Sequence, residues 1–113
     1  MAPIDKRFPH AIIEYVFGEF VSRPELDLRS RQLATVAVLT AIGGCEPQLE
    51  THIRATMRAD ASQKEIIALI IHVTPYAGVP HVINGLNVPS GCCWSRPLVR
   101  RPVLPGQVRL VLA

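Results

Sequence analysis

The sequence predicts an all-α protein, and three observations lead to this fold class. Hydrophobic residues make up 49% of the 113 residues, which excludes a disordered protein. Aromatic residues make up only 5%, so the core must be aliphatic and rich in alanine, as in packed helices. Apolar residues recur at helical spacing in successive segments up to residue 88. A chain of this length forms one domain with a modest core, which self-association would support.

The first predicted elements are a lead and a central helix. Residues 1–16 are predicted to form the lead, and a short helical piece over residues 11–20 ends before Pro24. Asp27 is placed to cap the next helix, residues 29–42. This helix is apolar on every side, so we expect it at the centre of a bundle.

Local signals predict three more helices, which complete a domain over residues 17–88. Their expected ranges begin near residues 47, 63 and 80, and the last one extends to about residue 88. The residues that end or begin these helices are Gly43 and Gly44, Pro47, the capping box of Ser62 and Glu65, Pro75, and Pro80.

Residues 89–113 do not continue this pattern and are predicted to be an irregular, basic tail rich in proline and arginine. Its prolines stand at intervals too short for a helix. Two interpretations are open. The segment is either a flexible functional tail, or a frame change or junction that replaces a native last helix. The abrupt change in composition favours the second interpretation.

Charge and cysteine usage limit the partners and the compartment. Residues 1–87 hold eight Lys and Arg and nine Asp and Glu, whereas the tail holds four Arg and no acid, so the net charge of +3 comes from the tail. A basic tail without interleaved aromatic residues does not indicate a nucleic-acid partner. No apolar signal region or membrane-length apolar run is present, and three cysteines form no disulfide framework. We therefore expect a cytoplasmic protein that binds neither membranes nor nucleic acid.

Four residues are candidates for chemistry. His52 falls on the inward face of its helix, and is either a core histidine with one hydrogen bond or a general acid/base with a tuned pKa. Cys45 precedes the same helix, where the helix dipole favours a thiolate, although a small buried residue would look the same. His72 and Tyr76 stand four residues apart and are predicted to line one cleft or to pack at a helix end. No metal-ligand spacing occurs among these residues, so no metal is expected.

Several segments come in one order that resembles the carboxymuconolactone decarboxylase family, which shares its fold with the alkylhydroperoxidase D proteins. The resemblance covers residues 17–87. The segments are Arg31-Gln32-Leu33-Ala34-Thr35-Val36-Ala37, Leu39-Thr40-Ala41-Ile42-Gly43-Gly44, His52-Ile53-Arg54-Ala55, Glu65-Ile66-Ile67, His72, and Tyr76-Ala77-Gly78-Val79-Pro80.

The resemblance implies an alkylhydroperoxidase D-like helical bundle that assembles into homotrimers or hexamers. It also implies a cofactor-free lyase that removes CO2 from 4-carboxymuconolactone, or a related small carboxylate, in aromatic catabolism. His52 would carry the proton, and His72 and Tyr76 would donate hydrogen bonds. Arg54 or Arg29 would hold a substrate carboxylate, either in the same subunit or in a neighbouring one.

Other relatives are thiol peroxidases, and the resemblance leaves that alternative open. They use a C-x-x-C pair followed by His, with an upstream Glu. Here Cys45 and His52 match, but Gln48 replaces the second cysteine and Gln32 replaces the acid. A disulfide cycle within this helix is thus excluded, whereas a one-cysteine peroxidase with an external thiol stays open. A third alternative is a non-catalytic, oligomeric ligand-binding member.

Overall fold

The computed structural model describes residues 5–88, and all regular structure in this part of the chain is helical, as predicted. Residues 89–113, the predicted tail, lie outside the described residues. None of the described helices is long and apolar enough to cross a membrane. The elements are α1 (Arg7–Ile13), which continues as a π-helix (Glu14–Val21), α2 (Leu28–Ile42), α3 (Glu46–Arg58), α4 (Gln63–His72), α5 (Thr74–Ala77) and α6 (Val79–Asn87).

The predicted helix starts are confirmed at the level of single hydrogen bonds. The carboxylate of Asp27 accepts the backbone N–H of Ser30 at 3.1 Å and caps α2. At the start of α4, the hydroxyl of Ser62 accepts the N–H of Glu65 at 3.1 Å, and the carboxylate of Glu65 accepts the N–H of Ser62 at 2.9 Å. Proline lies in the first turn of α3, α5 and α6, so Pro75 separates α4 from a short further helix.

Helices α2–α6 form the body of the molecule, residues 28–88, around an aliphatic core. Helix α2 is central because it packs against α3, α4, α5 and α6. Within residues 5–88, no aromatic residue is buried, which agrees with the low aromatic content. The core residues are Val36, Leu49, Ile53, Ala61, Ile66, Ile70, Val73 and Val82.

The expectation that α2 is central is confirmed, but the other helices of the single chain do not cover it on all sides. Its inward face buries Val36 and Thr40, but Val38 and Ile42 on the outward face are 54% and 64% exposed. The apolar periodicity predicts which side chains are buried, but it does not predict whether the same chain or another one buries them. One central helix thus leaves an apolar stripe on the surface of the body.

The N-terminal helical segment, residues 7–21, is called the arm. It buries none of its residues, and neither of its halves packs extensively against α2–α6. The predicted boundary between lead and domain, at residues 16 and 17, falls inside the π-helix of the arm. The change from exposed to packed structure instead comes between residues 22 and 28. The exposed large apolar residues of the arm are Phe8, Ile12, Ile13, Tyr15, Phe17 and Phe20.

Candidate functional site

His52 and Gln32 form the centre of the candidate site. His52 lies in the middle of α3, and its Nδ1 is 2.9 Å from Oε1 of Gln32 on the neighbouring helix α2. Gln32 is a buried polar residue, only 7% exposed, whereas His52 is half-buried. The backbone carbonyl of His52 also accepts the hydroxyl of Thr56 at 2.6 Å. The ring is therefore oriented by a side chain that is itself held between two packed helices.

This geometry sets the hydrogen on the ring and its charge. The amide oxygen of Gln32 can only accept, so Nδ1 of His52 carries the hydrogen, and Nε2 of the neutral ring holds a lone pair. Burial lowers the pKa of His52 below the usual 6.5, because desolvation disfavours the charged form. Gln32 is neutral and does not oppose this effect as a carboxylate would. His52 is thus mainly neutral near pH 7 and can exchange a proton through Nε2.

Cys45 occupies the cap position of α3 and holds a free thiol. Its sulfur donates to the backbone carbonyl of Leu39 at 3.3 Å, so the thiol bonds back to the end of α2. No hydrogen bond joins Cys45 to His52 among residues 5–88. Cys45 thus caps the helix that holds His52, but the two residues bond to different parts of α2.

His72 and Tyr76 contact each other, with ring centroids 5.6 Å apart, as their spacing suggested. Both are exposed, and Tyr76 is 79% exposed. Within the described residues, neither forms a hydrogen bond with His52. The described part of the chain, residues 5–88, includes no group of three His, Cys, Asp or Glu side chains that could hold a metal ion. The pair lies at the surface of α4 and α5, open to a neighbouring molecule.

The two candidate arginines each pair with a carboxylate. Arg29, in the first turn of α2, forms an ion pair with Glu65 at the start of α4. Arg54 pairs with Glu50 at 2.8 Å along α3, the i, i+4 pair that the sequence suggests. Arg29 precedes Gln32 by three residues, so both lie on one face of α2, the face near His52. Arg54 follows His52 by two residues and points to another side of α3.

One histidine of this region had no partner predictable from the sequence. His81, in the first turn of α6, donates from Nδ1 to the backbone carbonyl of Ala41 at 2.8 Å. The two residues are 40 positions apart, and the acceptor is a backbone carbonyl oxygen, so no pattern of side chains predicts the contact. The sequence likewise did not predict the partner of His52. It marked Gln32 only as the residue that replaces the glutamate of the thiol peroxidases.

The model of the carboxymuconolactone decarboxylase family matches residues 6–90, which is most of the chain. The chain belongs to this family. The match includes the arm as well as the body, so the arm is part of the family's sequence pattern and not an addition to it.

Two curated relatives are similar over part of their length. A 4-carboxymuconolactone decarboxylase from Acinetobacter baylyi is 40% identical over 73 residues, which is 65% of this chain and 54% of that protein. An uncharacterized 15.0 kDa protein from the nqo9-nqo10 intergenic region of Paracoccus denitrificans is 31% identical over 81 residues, which is 71% of this chain and 60% of that protein. The chain therefore spans little more than half the length of these relatives.

Proposed function

We propose that this protein is a cofactor-free decarboxylase that acts on 4-carboxymuconolactone or a related carboxylated lactone. The observation that carries the proposal is the bond between His52 and Gln32, which leaves Nε2 of a half-buried imidazole available for proton transfer. The family membership and the similarity to a 4-carboxymuconolactone decarboxylase support the reaction type. The predicted cytoplasmic location and a small-molecule substrate belong to the same proposal.

The reaction needs one bond cleavage and one proton. The bond between the ring carbon and the carboxylate breaks, CO2 leaves, and the electron pair moves into the conjugated carbonyl as an extended enolate. Nε2 of His52 takes a proton from water beforehand, and the hydroxide left in solvent is consumed by the released CO2 as bicarbonate. The protonated ring then delivers its proton to the enolate carbon and returns to its neutral form. Because burial lowers the pKa of His52, the imidazolium releases its proton readily.

Arg29 is the better placed of the two arginines to hold the second carboxylate of such a substrate. It lies one helical turn from Gln32 on the same face of α2, whereas Arg54 lies on another side of α3. Arg29 uses Nη2 to bind Glu65, and a guanidinium has five N–H donors in a planar fork. His72 and Tyr76, which are exposed, would reach substrate only as donors to a site on a neighbouring subunit.

A homo-oligomer, either a trimer or a hexamer, is part of this proposal. The arm exposes six large apolar side chains, and the body exposes Val38 and Ile42, so both surfaces favour contact with other copies. Light scattering coupled to size exclusion tests this, with Phe17→Glu in the arm against the matched Glu19→Gln control. A chain that elutes as a monomer at all concentrations would contradict the assembly.

The activity is tested by incubating the purified chain with 4-carboxymuconolactone and measuring the release of CO2. We expect His52→Ala to reduce kcat by at least about 100-fold, in the range for a lost general acid. Arg29→Gln should raise KM more than it lowers kcat. A bona fide decarboxylase assayed in parallel ensures that the substrate is competent. If that enzyme consumes the substrate and this chain does not, the specific assignment fails.

A thiol-dependent peroxidase is the second candidate, and the free thiol of Cys45 at the start of α3 favours it. The chemistry would oxidise this thiol to a sulfenic acid while a hydroperoxide is reduced to an alcohol, and an external thiol would then reduce the cysteine. Hydroperoxide turnover that is lost in Cys45→Ser and kept in Cys92→Ser would support this candidate. A chain that turns over neither substrate would be the ligand-binding member instead.

A further inference from the structure

His81 makes two contacts with the turn that joins α2 to α3. Its Nδ1–H donates to the carbonyl oxygen of Ala41 at 2.8 Å, near the end of α2. The other edge of its ring lies against Gly43, since a Cβ added at Gly43 would be 2.9 Å from Nε2 of His81. One side chain from α6 thus holds backbone at two points in a turn that lies about 40 residues earlier in the chain.

The turn held in this way has unusual backbone freedom. Gly43 and Gly44 adopt φ angles of +71° and +72°, a region that L side chains rarely enter. Two consecutive glycines lose more conformational entropy on ordering than any other pair, so the turn needs contacts that fix it. The ring of His81 supplies such a contact, and its close approach also leaves no space for a side chain at Gly43.

The same turn positions the thiol. The carbonyl of Leu39 accepts both the backbone N–H of Gly43 at 3.1 Å and the thiol of Cys45 at 3.3 Å. Helix α3 begins directly after Cys45, so the turn also sets where α3 starts relative to α2. The pairing of His52 with Gln32 depends on that register.

We propose that His81 is a positioning residue, which fixes the turn between α2 and α3 and so holds the thiol of Cys45 against the carbonyl of Leu39. Only the role of the positioned groups in catalysis rests on the proposed function. The positioning itself is a property of the folded chain and can be measured without substrate.

The test is the rate at which iodoacetamide alkylates Cys45 in the full-length chain, followed by peptide mass spectrometry, with Cys92 and Cys93 as internal references. We expect His81→Ala to accelerate the reaction about fivefold to tenfold, the factor that one net hydrogen bond represents. His81→Asn should stay within about twofold of the unmodified chain, because an asparagine amide N–H stands where Nδ1–H stands. His81→Phe keeps a ring against Gly43 but has no donor, and should be accelerated.

A matched control distinguishes a positioning role of His81 from a general loss of stability. Ile66→Val removes one methylene from the core in α4, a helix that does not include the turn, and costs about 1 kcal/mol of stability. It should leave the alkylation rate of Cys45 unchanged. The proposal is overturned if Ile66→Val accelerates the reaction as much as His81→Ala does, or if His81→Asn behaves like His81→Ala. Neither outcome depends on whether the chain has decarboxylase activity.

Discussion

The arm and the body have similarly apolar sequences but differ completely in packing. The body buries eight aliphatic residues in one cluster, whereas the arm buries none of its residues. An isolated helix of this length is marginal in water, because most helical stability comes from tertiary packing of an apolar face. The difference indicates that packing against the body contributes little to the stability of the arm.

The largest expected effect comes from removing a core side chain and comparing it with the arm. Ile53→Ala should lower the free energy of unfolding by about 2–5 kcal/mol, since Ile53 is fully buried in α3. Phe17→Ala should change it by less than about 0.5 kcal/mol in the monomer, because Phe17 is half exposed. Urea unfolding at several protein concentrations measures both. If the arm lies in an interface, the deficit in stability of Phe17→Ala relative to the unmodified chain should grow as the protein concentration rises.

Two glycine-to-alanine substitutions, one in the body and one in the arm, should have different effects on the unfolding midpoint. At Gly85 a Cβ would be 3.0 Å from Cγ2 of Thr40, so overpacking of about 1–3 kcal/mol exceeds the gain of about 1 kcal/mol in helix propensity. We expect Gly85→Ala to destabilise the body by about 1 kcal/mol. At Gly18 nothing lies within 4 Å, so Gly18→Ala should raise helical content without moving the unfolding midpoint. Equal midpoints for the two variants would contradict this account.

A smaller effect is expected at a strained residue of the body. Asp60 has a φ of +70°, and it is the one non-glycine residue among residues 5–88 with a positive φ. Asp60→Gly relieves about 1 kcal/mol of backbone strain but adds entropy to the unfolded chain, so we expect about 0.5 kcal/mol of stabilisation. Thermal unfolding measures it, and Asp60→Ala, which keeps the strain, is the control. A loss of stability in Asp60→Gly would mean that the carboxylate makes a favourable contact.

The last prediction concerns the titration of His52 and has the smallest effect on stability. Its pKa in the folded chain is lowered by burial, so its contribution to stability is present above the unfolded value of 6.5 and declines as pH falls below it. Under the proposed mechanism the protonated ring delivers the proton, so kcat should fall as pH rises through this pKa. Gln32→Glu places a carboxylate beside Nδ1, raises the pKa and moves the fall to higher pH.

NMR titration of the His52 ring checks the prediction directly, and His10→Ala in the arm is the matched control. The substitution at His10 should leave both the titration of His52 and the pH profile of kcat unchanged, because the arm does not pack extensively against the body. An unchanged pH profile in Gln32→Glu would remove His52 from the rate-determining proton transfer.

The sequence predicted well those features that depend on residues near one another in the chain. The caps at Asp27 and Ser62 each use a partner three residues away, so a short pattern is sufficient to find them. Long-range features were harder to predict. The bond from His52 to Gln32 crosses two helices, and the bond from His81 to Ala41 ends on a backbone oxygen that no side-chain pattern marks. The exposure of the arm and of one face of α2 was not predicted, because apolar periodicity does not show which surface packs against an apolar face.

The absence of aromatic side chains from the core has a practical consequence for spectroscopy. All five aromatic residues of the described chain are at least 42% exposed, namely Phe8, Tyr15, Phe17, Phe20 and Tyr76. Ultraviolet absorption and fluorescence from these rings would change little when the aliphatic core melts. Four of them belong to the arm, so their signals would instead report arm docking. Far-ultraviolet circular dichroism of the backbone would thus report folding of the body, and the NMR ring resonances of Phe8, Phe17 and Phe20 would report contacts of the arm.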